Sequence, residues 1–152
     1  MSDVSIRQAG PSDLAPLAEL FDQYRQFQGR PGDVGAARAF LHPRLTNGDS
    51  VVFIAENEGG AVGFAQLFPS FSSVALQRVF ILNDLFVAQA GRRQGVASRL
   101  LDALEAFAWA HGAARVTLNV ARQNPTAQAL YEARGWRQDA VFFMYHRHPP
   151  GR

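Results

Sequence analysis

The stretch from Arg78 to Val120 most constrains the fold. An apolar run ends Asn83-Asp84-Leu85-Phe86-Val87, and a loop, Ala88-Gln89-Ala90-Gly91-Arg92-Arg93-Gln94-Gly95, follows it. Val96, Leu100, Leu101, Leu104, Phe107 and Ala108 then recur at helical spacing, and Gly112 ends that helix. Val116 to Val120 is β-branched and reads as a second strand. A strand, a crossover helix and a strand in this order demand a parallel pair. The rest of the chain reads differently. Val4 to Gln8, Val51 to Glu56 and Ala61 to Phe68 fit strands, and Asn57-Glu58-Gly59-Gly60 is a hairpin turn between the last two. Pro11-Ser12-Asp13 opens a helix carrying Leu14, Leu17, Leu20, Phe21 and Tyr24, and a shorter helix fits Val34 to Leu45. Asn124-Pro125 opens a last helix, Gly135 stops it, and Val141 to His146 reads as a closing aromatic strand. The sum is a mixed α/β sheet, not a doubly wound dinucleotide fold.

The loop itself asks for an explanation. Gly95 sits where the first unpaired amides of the helix must lie, beside Arg92 and Arg93. Such a terminus offers free N–H donors and a positive dipole end, which suits a diphosphate. An ordinary solvated loop fits the same residues. No Lys-Ser/Thr follows Gly95, and Gly91 and Gly95 lie too far apart for G-x-G-x-x-G, so neither nucleotide motif is present.

Arg92, Gly95 and Ala97 match R-x-x-G-x-A, and the preceding strand ends Asn-Asp-Leu-Phe-Val. A second block, Asn124-Pro125-Thr126-Ala127, runs through Leu130-Tyr131-Glu132 to Gly135-Trp136. Together these resemble the acyl-CoA signature and the N-x-x-A…L-Y…G-[FW] block of the GNAT N-acetyltransferases, and the order of elements agrees from residue 4 to residue 146. The resemblance implies the GNAT fold: α/β, with a central, mostly antiparallel sheet of six to seven strands, one splayed parallel pair and about four flanking helices. It implies acetyl-CoA as cofactor, with its pyrophosphate on Arg92, Arg93, Gln94, Gly95, Val96, Ala97 and Ser98. The pantetheine arm would lie beside Leu85, Phe86 and Val87, and Asn119, Asn124, Ala127 and Tyr131 would complete the cofactor contacts. Asn124 also reads as a plain helix cap.

The resemblance makes Tyr131 the acid that protonates the departing thiolate, against a bland reading as a packed helix residue. Around L-x-D-x-F-V the chain is similar to the polyamine acetyltransferases, which carry a Glu before the Asp. Asn83 stands at that position and an amide is a poor base, so Asp84 is the nearest carboxylate. It could serve as base, bind a cationic substrate or cap a turn. Alternation puts Asn83 and Asp84 on opposite faces unless a bulge intervenes. The acceptor candidates are Asp22, Tyr24, Gln28, Phe71, Ser72 and Tyr145, acids and rings that suit an amine cation.

The implied activity is direct acetyl transfer to a primary amine, foremost a small polyamine or diamine. A peptide or protein amine, and an acyl-CoA-binding module with little turnover, are the alternatives. A homodimer is common in the family. The chain of 152 residues has the size of one domain, residues 1–152, with 147–152 reading as a frayed tail. It has no cysteine, which excludes disulfides and thiolate chemistry, and His42, His111, His146 and His148 lack metal-ligand spacing, so no metal is expected. The opening MSDVSIRQAGPSD has no apolar core of a signal, and no window approaches the roughly 18 apolar residues of a membrane span, so a cytoplasmic place and no membrane partner are expected. A net charge of +2, with acids interspersed among the arginines, gives no stripe for nucleic acid.

Overall fold

The computed structural model describes residues 3–151, which fall into two compact units, Met1–Asn119 and Val120–Arg152. The first unit is built on one sheet with the order β1 (Ser5–Gln8), β2 (Val51–Asn57), β3 (Gly60–Ser72), β4 (Gln77–Val87) and β5 (Val116–Leu118). Neighbours are antiparallel except β4 and β5, the parallel pair that the crossover demands. The Asn57 side chain accepts from the Gly59 amide at 2.8 Å and closes the β2–β3 hairpin.

Helices cover both faces. On one face α1 (Leu14–Phe27) and α2 (Val34–Asn47) bury Leu14, Leu17, Leu20, Phe21, Ala37 and Leu41 against Val52, Ile54, Phe64 and Phe86. On the other, α3 (Val96–Ala110) sets the Phe107 ring against Phe53 and Phe80, with centroids 5.8 and 5.6 Å apart. A sheet buried on both sides needs apolar residues at consecutive positions, which is why β2 and β3 read as unbroken runs rather than alternating ones. Arg7 on β1 grips Asp13 through two hydrogen bonds of 2.9 and 2.8 Å and fixes the entry to α1. Arg99 on α3 donates to the carbonyl of Val4.

The loop after β4 is pressed onto β3. A Cβ built on Gly91 would lie 2.8 Å from Val62 Cβ and 3.2 Å from its carbonyl oxygen. We therefore expect Gly91→Ala to cost about 1–3 kcal/mol, read as a lower chemical-denaturation midpoint at unchanged slope.

In the second unit α4 (Pro125–Ala133) is capped by Asn124, whose side chain accepts from the Ala127 amide at 3.1 Å. Among the described residues the fold carries five strands, not six to seven: Val141 to His146 is not a strand. The Asp139 side chain accepts from the amides of Val141 and Phe142 at 2.9 and 3.4 Å, a local turn that competes with a ladder. Strand-like composition describes a side chain's fit to a half-buried pleat and does not by itself supply a ladder. Val141, Phe142, Phe143 and Tyr145 are exposed, Tyr145 at 88%. Of the expected frayed tail, Arg152 lies outside the described residues.

Candidate active site

Below Gln66 and Asp84, β3 and β4 pair residue for residue, from Gly63 with Val87 to Gln66 with Asp84; the next pair is Leu67 with Leu82. Asn83 is the extra residue, so the bulge that the alternation argument needed is present. Its effect is a change of face. Phe80 lies against Phe107 of α3, whereas Phe86, past the bulge, lies against Tyr24 and Phe27 of α1. Asp84 goes with Phe86 and becomes buried at 6% exposure, and Asn83 stays exposed.

A carboxylate in that interior needs donors. Gln66 Nε2 donates to Asp84 Oδ2 at 2.7 Å, and Ser50 Oγ donates to Gln66 Oε1 at 2.7 Å. Tyr24 adds a hydrogen bond from α1, and Asn83 Nδ2 stands at 3.5 Å, the outer limit. Burial pushes the Asp84 carboxyl above the ordinary carboxylate range, and the bonds from Gln66, Asn83 and Tyr24 only partly pull it back. A buried acid with raised proton affinity is better suited to taking a proton than an ordinary carboxylate. Its surroundings are aromatic: the Tyr24 ring lies 5.9 Å from both Phe64 and Phe86.

β5 accompanies β4 for three pairs only, Phe80 to Leu82 with Val116 to Leu118. From Asn83 to Val87, β4 runs on past that ladder. Phe86 offers only its backbone there, because its side chain is core. Beyond Val87 the chain enters the loop, where Arg93 and Gly95 take left-handed φ of 63° and 69°. Gly95 is the N-cap of α3 and has no side chain to occupy the free amides of Val96, Ala97 and Ser98. A Cβ on Gly95 would meet nothing within 4 Å, so the approach to those amides is open. Arg92 Nε donates to the Val87 carbonyl at 3.2 Å and Gln94 Nε2 to the Ala90 carbonyl at 3.2 Å, so both side chains shape the loop.

Of the acceptor candidates in the first unit, the structure brings Tyr24 to Asp84. Asp22 is spent on the α1–α2 connection, accepting from the Asp33 amide at 2.7 Å and from Gln26 at 3.0 Å. Gln28 is the exposed C-cap of α1. Phe71 lies under Arg78, 4.6 Å from the guanidinium carbon, and Ser72 accepts from the Ala75 amide at 3.3 Å. A hollow of about 260 Å³ opens between α1 and α2, lined by Phe21, Arg25, Ala36, Ala37 and Phe40. In the second unit, the Tyr131 ring packs on Trp136 with centroids 5.8 Å apart, and burial raises the affinity of its phenol for its proton. Asn119 ends the first unit just after β5. Gln66 and Ser50 are the residues that sequence reasoning missed. The signal was there: Gln66 is the one polar residue inside the apolar run Ala61 to Phe68.

Residues 15–136 match the model of the acetyltransferase (GNAT) family, and the chain belongs to that family. It is an acetyl-transferring enzyme by that membership and by its relatives. It is similar to the uncharacterized N-acetyltransferase YhfO of Bacillus subtilis (strain 168), 46% identical over 142 residues, 93% of this chain and 95% of the relative. A crystal structure of a probable acetyltransferase superposes with a TM-score of 0.90 at 39% identity, covering 97% of this chain and 99% of that one. The D-amino-acid N-acetyltransferase HPA3 of Saccharomyces cerevisiae is 26% identical over 92% of this chain and 89% of its own length. Among the described residues no helix is long and apolar enough to cross a membrane.

Proposed function

We propose that the protein moves an acetyl group from acetyl-CoA directly to a primary amine, with a small cationic amine such as a diamine or polyamine as the leading acceptor. The observation that carries this reading is Asp84, a buried carboxyl at a β-bulge, with raised proton affinity and an aromatic surround. When bound, acetyl-CoA supplies a thioester whose C–S bond breaks as the new C–N bond forms. Asp84 takes the proton that the attacking nitrogen must lose, because an alkylammonium near pKa 10 cannot attack while protonated. Tyr131 gives its hydroxyl proton to the departing sulfur, the role the L-Y motif suggests, and its raised proton affinity keeps it in the acid form. The open amides of Val96, Ala97 and Ser98 suit a diphosphate, with Arg92 and Arg93 adding positive charge.

The HPA3 relative is named for D-amino acids, which are also primary amines, so they belong in the acceptor panel. A homodimer, with the exposed Val141 to Tyr145 run covered by the second copy, goes with this reading. The test is thermal denaturation with and without acetyl-CoA, then release of free CoA over diamines, amino acids and peptide amines. The expected result is a stabilising shift and turnover on a small diamine or polyamine. Absence of any shift would remove the cofactor, and a shift without turnover on any amine would leave a binding module.

A further inference from the structure

Polar side chains inside an apolar layer persist only where each finds a partner. Ser50, Gln66 and Asp84 form such a chain, from the residue before β2, through β3, to β4. All three are buried and Gln66 is wholly so, at 0% exposure. Acetyl transfer as proposed uses only the carboxyl at the end. An apolar residue at 66, on the same sheet face as the buried Phe64, would need no partner, so the presence of an amide there calls for a reason.

Donor and acceptor counts supply one. An ionised carboxyl only accepts, whereas a protonated one also donates; an amide has one end of each kind, and a hydroxyl does either. With Asp84 ionised, the amide N–H faces it and Ser50 donates to the amide oxygen, the arrangement observed. With Asp84 protonated, the amide turned over would accept from the carboxyl O–H and donate to Ser50 Oγ. Each link survives with its direction reversed. We infer that Ser50 and Gln66 are positioning residues, a reversible three-member chain that lets Asp84 take up and release a proton while it stays buried. This rests on Asp84 as the base of the proposed reaction.

The other groups facing Asp84 are Asn83 from its own strand and Tyr24 from α1. Tyr24 is the titratable one, and among the described residues no charged side chain acts on the carboxyl. Two substitutions should therefore move its titration in opposite directions. Gln66→Met keeps length and volume but removes the donor to the ionised form, so the Asp84 midpoint should rise by about one to two pH units. Ser50→Ala leaves an orphan N–H in the protonated arrangement and an orphan C=O in the ionised one. Buried N–H groups tolerate that less well, so the midpoint should fall.

The readout is the side-chain carboxyl carbon of Asp84 in aspartate-labelled, unliganded protein, followed by NMR against pH and assigned with Asp84→Asn. In wild type the Gln66 side-chain amide signals should titrate at the same midpoint. No shift in Gln66→Met, shifts of one sign in both variants, or amide signals flat through the Asp84 titration would overturn the inference. The wild-type amide titration decides the matter even if Gln66→Met does not fold. The acid limb of kcat/KM should move with the carboxyl midpoint. If the midpoint moves and the limb does not, the chain stands and the assignment of Asp84 as base falls.

Discussion

Asp84→Asn should lower kcat/KM for acetyl transfer by about a hundredfold or more and, at neutral pH, make the fold more stable. The two effects have one cause. Asparagine keeps the shape and an oxygen to accept from Gln66, but it cannot take a proton. It also carries no charge to bury. Because the native carboxyl holds its proton more tightly than the unfolded chain does, the native state binds more protons between the unfolded value and the raised native one. Stability therefore falls as pH rises through that window, and the full penalty applies above it. Removing the charge removes the penalty, so the melting temperature of Asp84→Asn should exceed that of wild type at neutral pH. The gap should close as pH falls through the native pKa. Melting curves and initial rates over one pH series check both halves. In wild type, kcat/KM should fall on acidification at a pH above the ordinary carboxylate range. Retained activity in the variant would remove Asp84 from the chemistry.

Tyr131→Phe should cut kcat by about a hundredfold to ten-thousandfold while leaving CoA affinity close to wild type. The ring is retained, and with it the packing on Trp136, so what is lost is the hydroxyl. Burial favours the neutral phenol, so the acid is in its active form across the neutral range, and any alkaline fall in rate due to Tyr131 should come above the ordinary phenol value. Titration calorimetry with CoA beside steady-state rates separates the cases. Equal losses in kcat and affinity would make Tyr131 a packing residue.

Much of this was legible because the decisive features are local. The crossover from β4 through α3 to β5 follows from three consecutive patterns, and the positive φ at Gly95 from the only residue type that adopts it freely. Asn124 as a cap needs only the three residues after it. What escaped depends on partners far along the chain. Ser50, Gln66 and Asp84 are joined across 16 and 18 positions, a pairing set by strand register that no window of sequence displays. Val141 to His146 failed for the complementary reason. Its composition suits a strand, but a strand exists only when a neighbour supplies the ladder, and Asp139 gives its first amides another partner.

Asn83 works as a phase shifter. Upstream of it β4 shows one set of side chains to α3, and downstream the same parity faces α1. If the same residues paired without the bulge, Asn83 would stand opposite Gln66 and Asp84 would turn toward α3 opposite Ala65. The acid is thus held in place by the bulged register of the strand as much as by any contact. Side-chain exchanges can weaken its supports, but ironing out the bulge with every residue kept would reverse the inside and outside of the whole segment that leads into the loop.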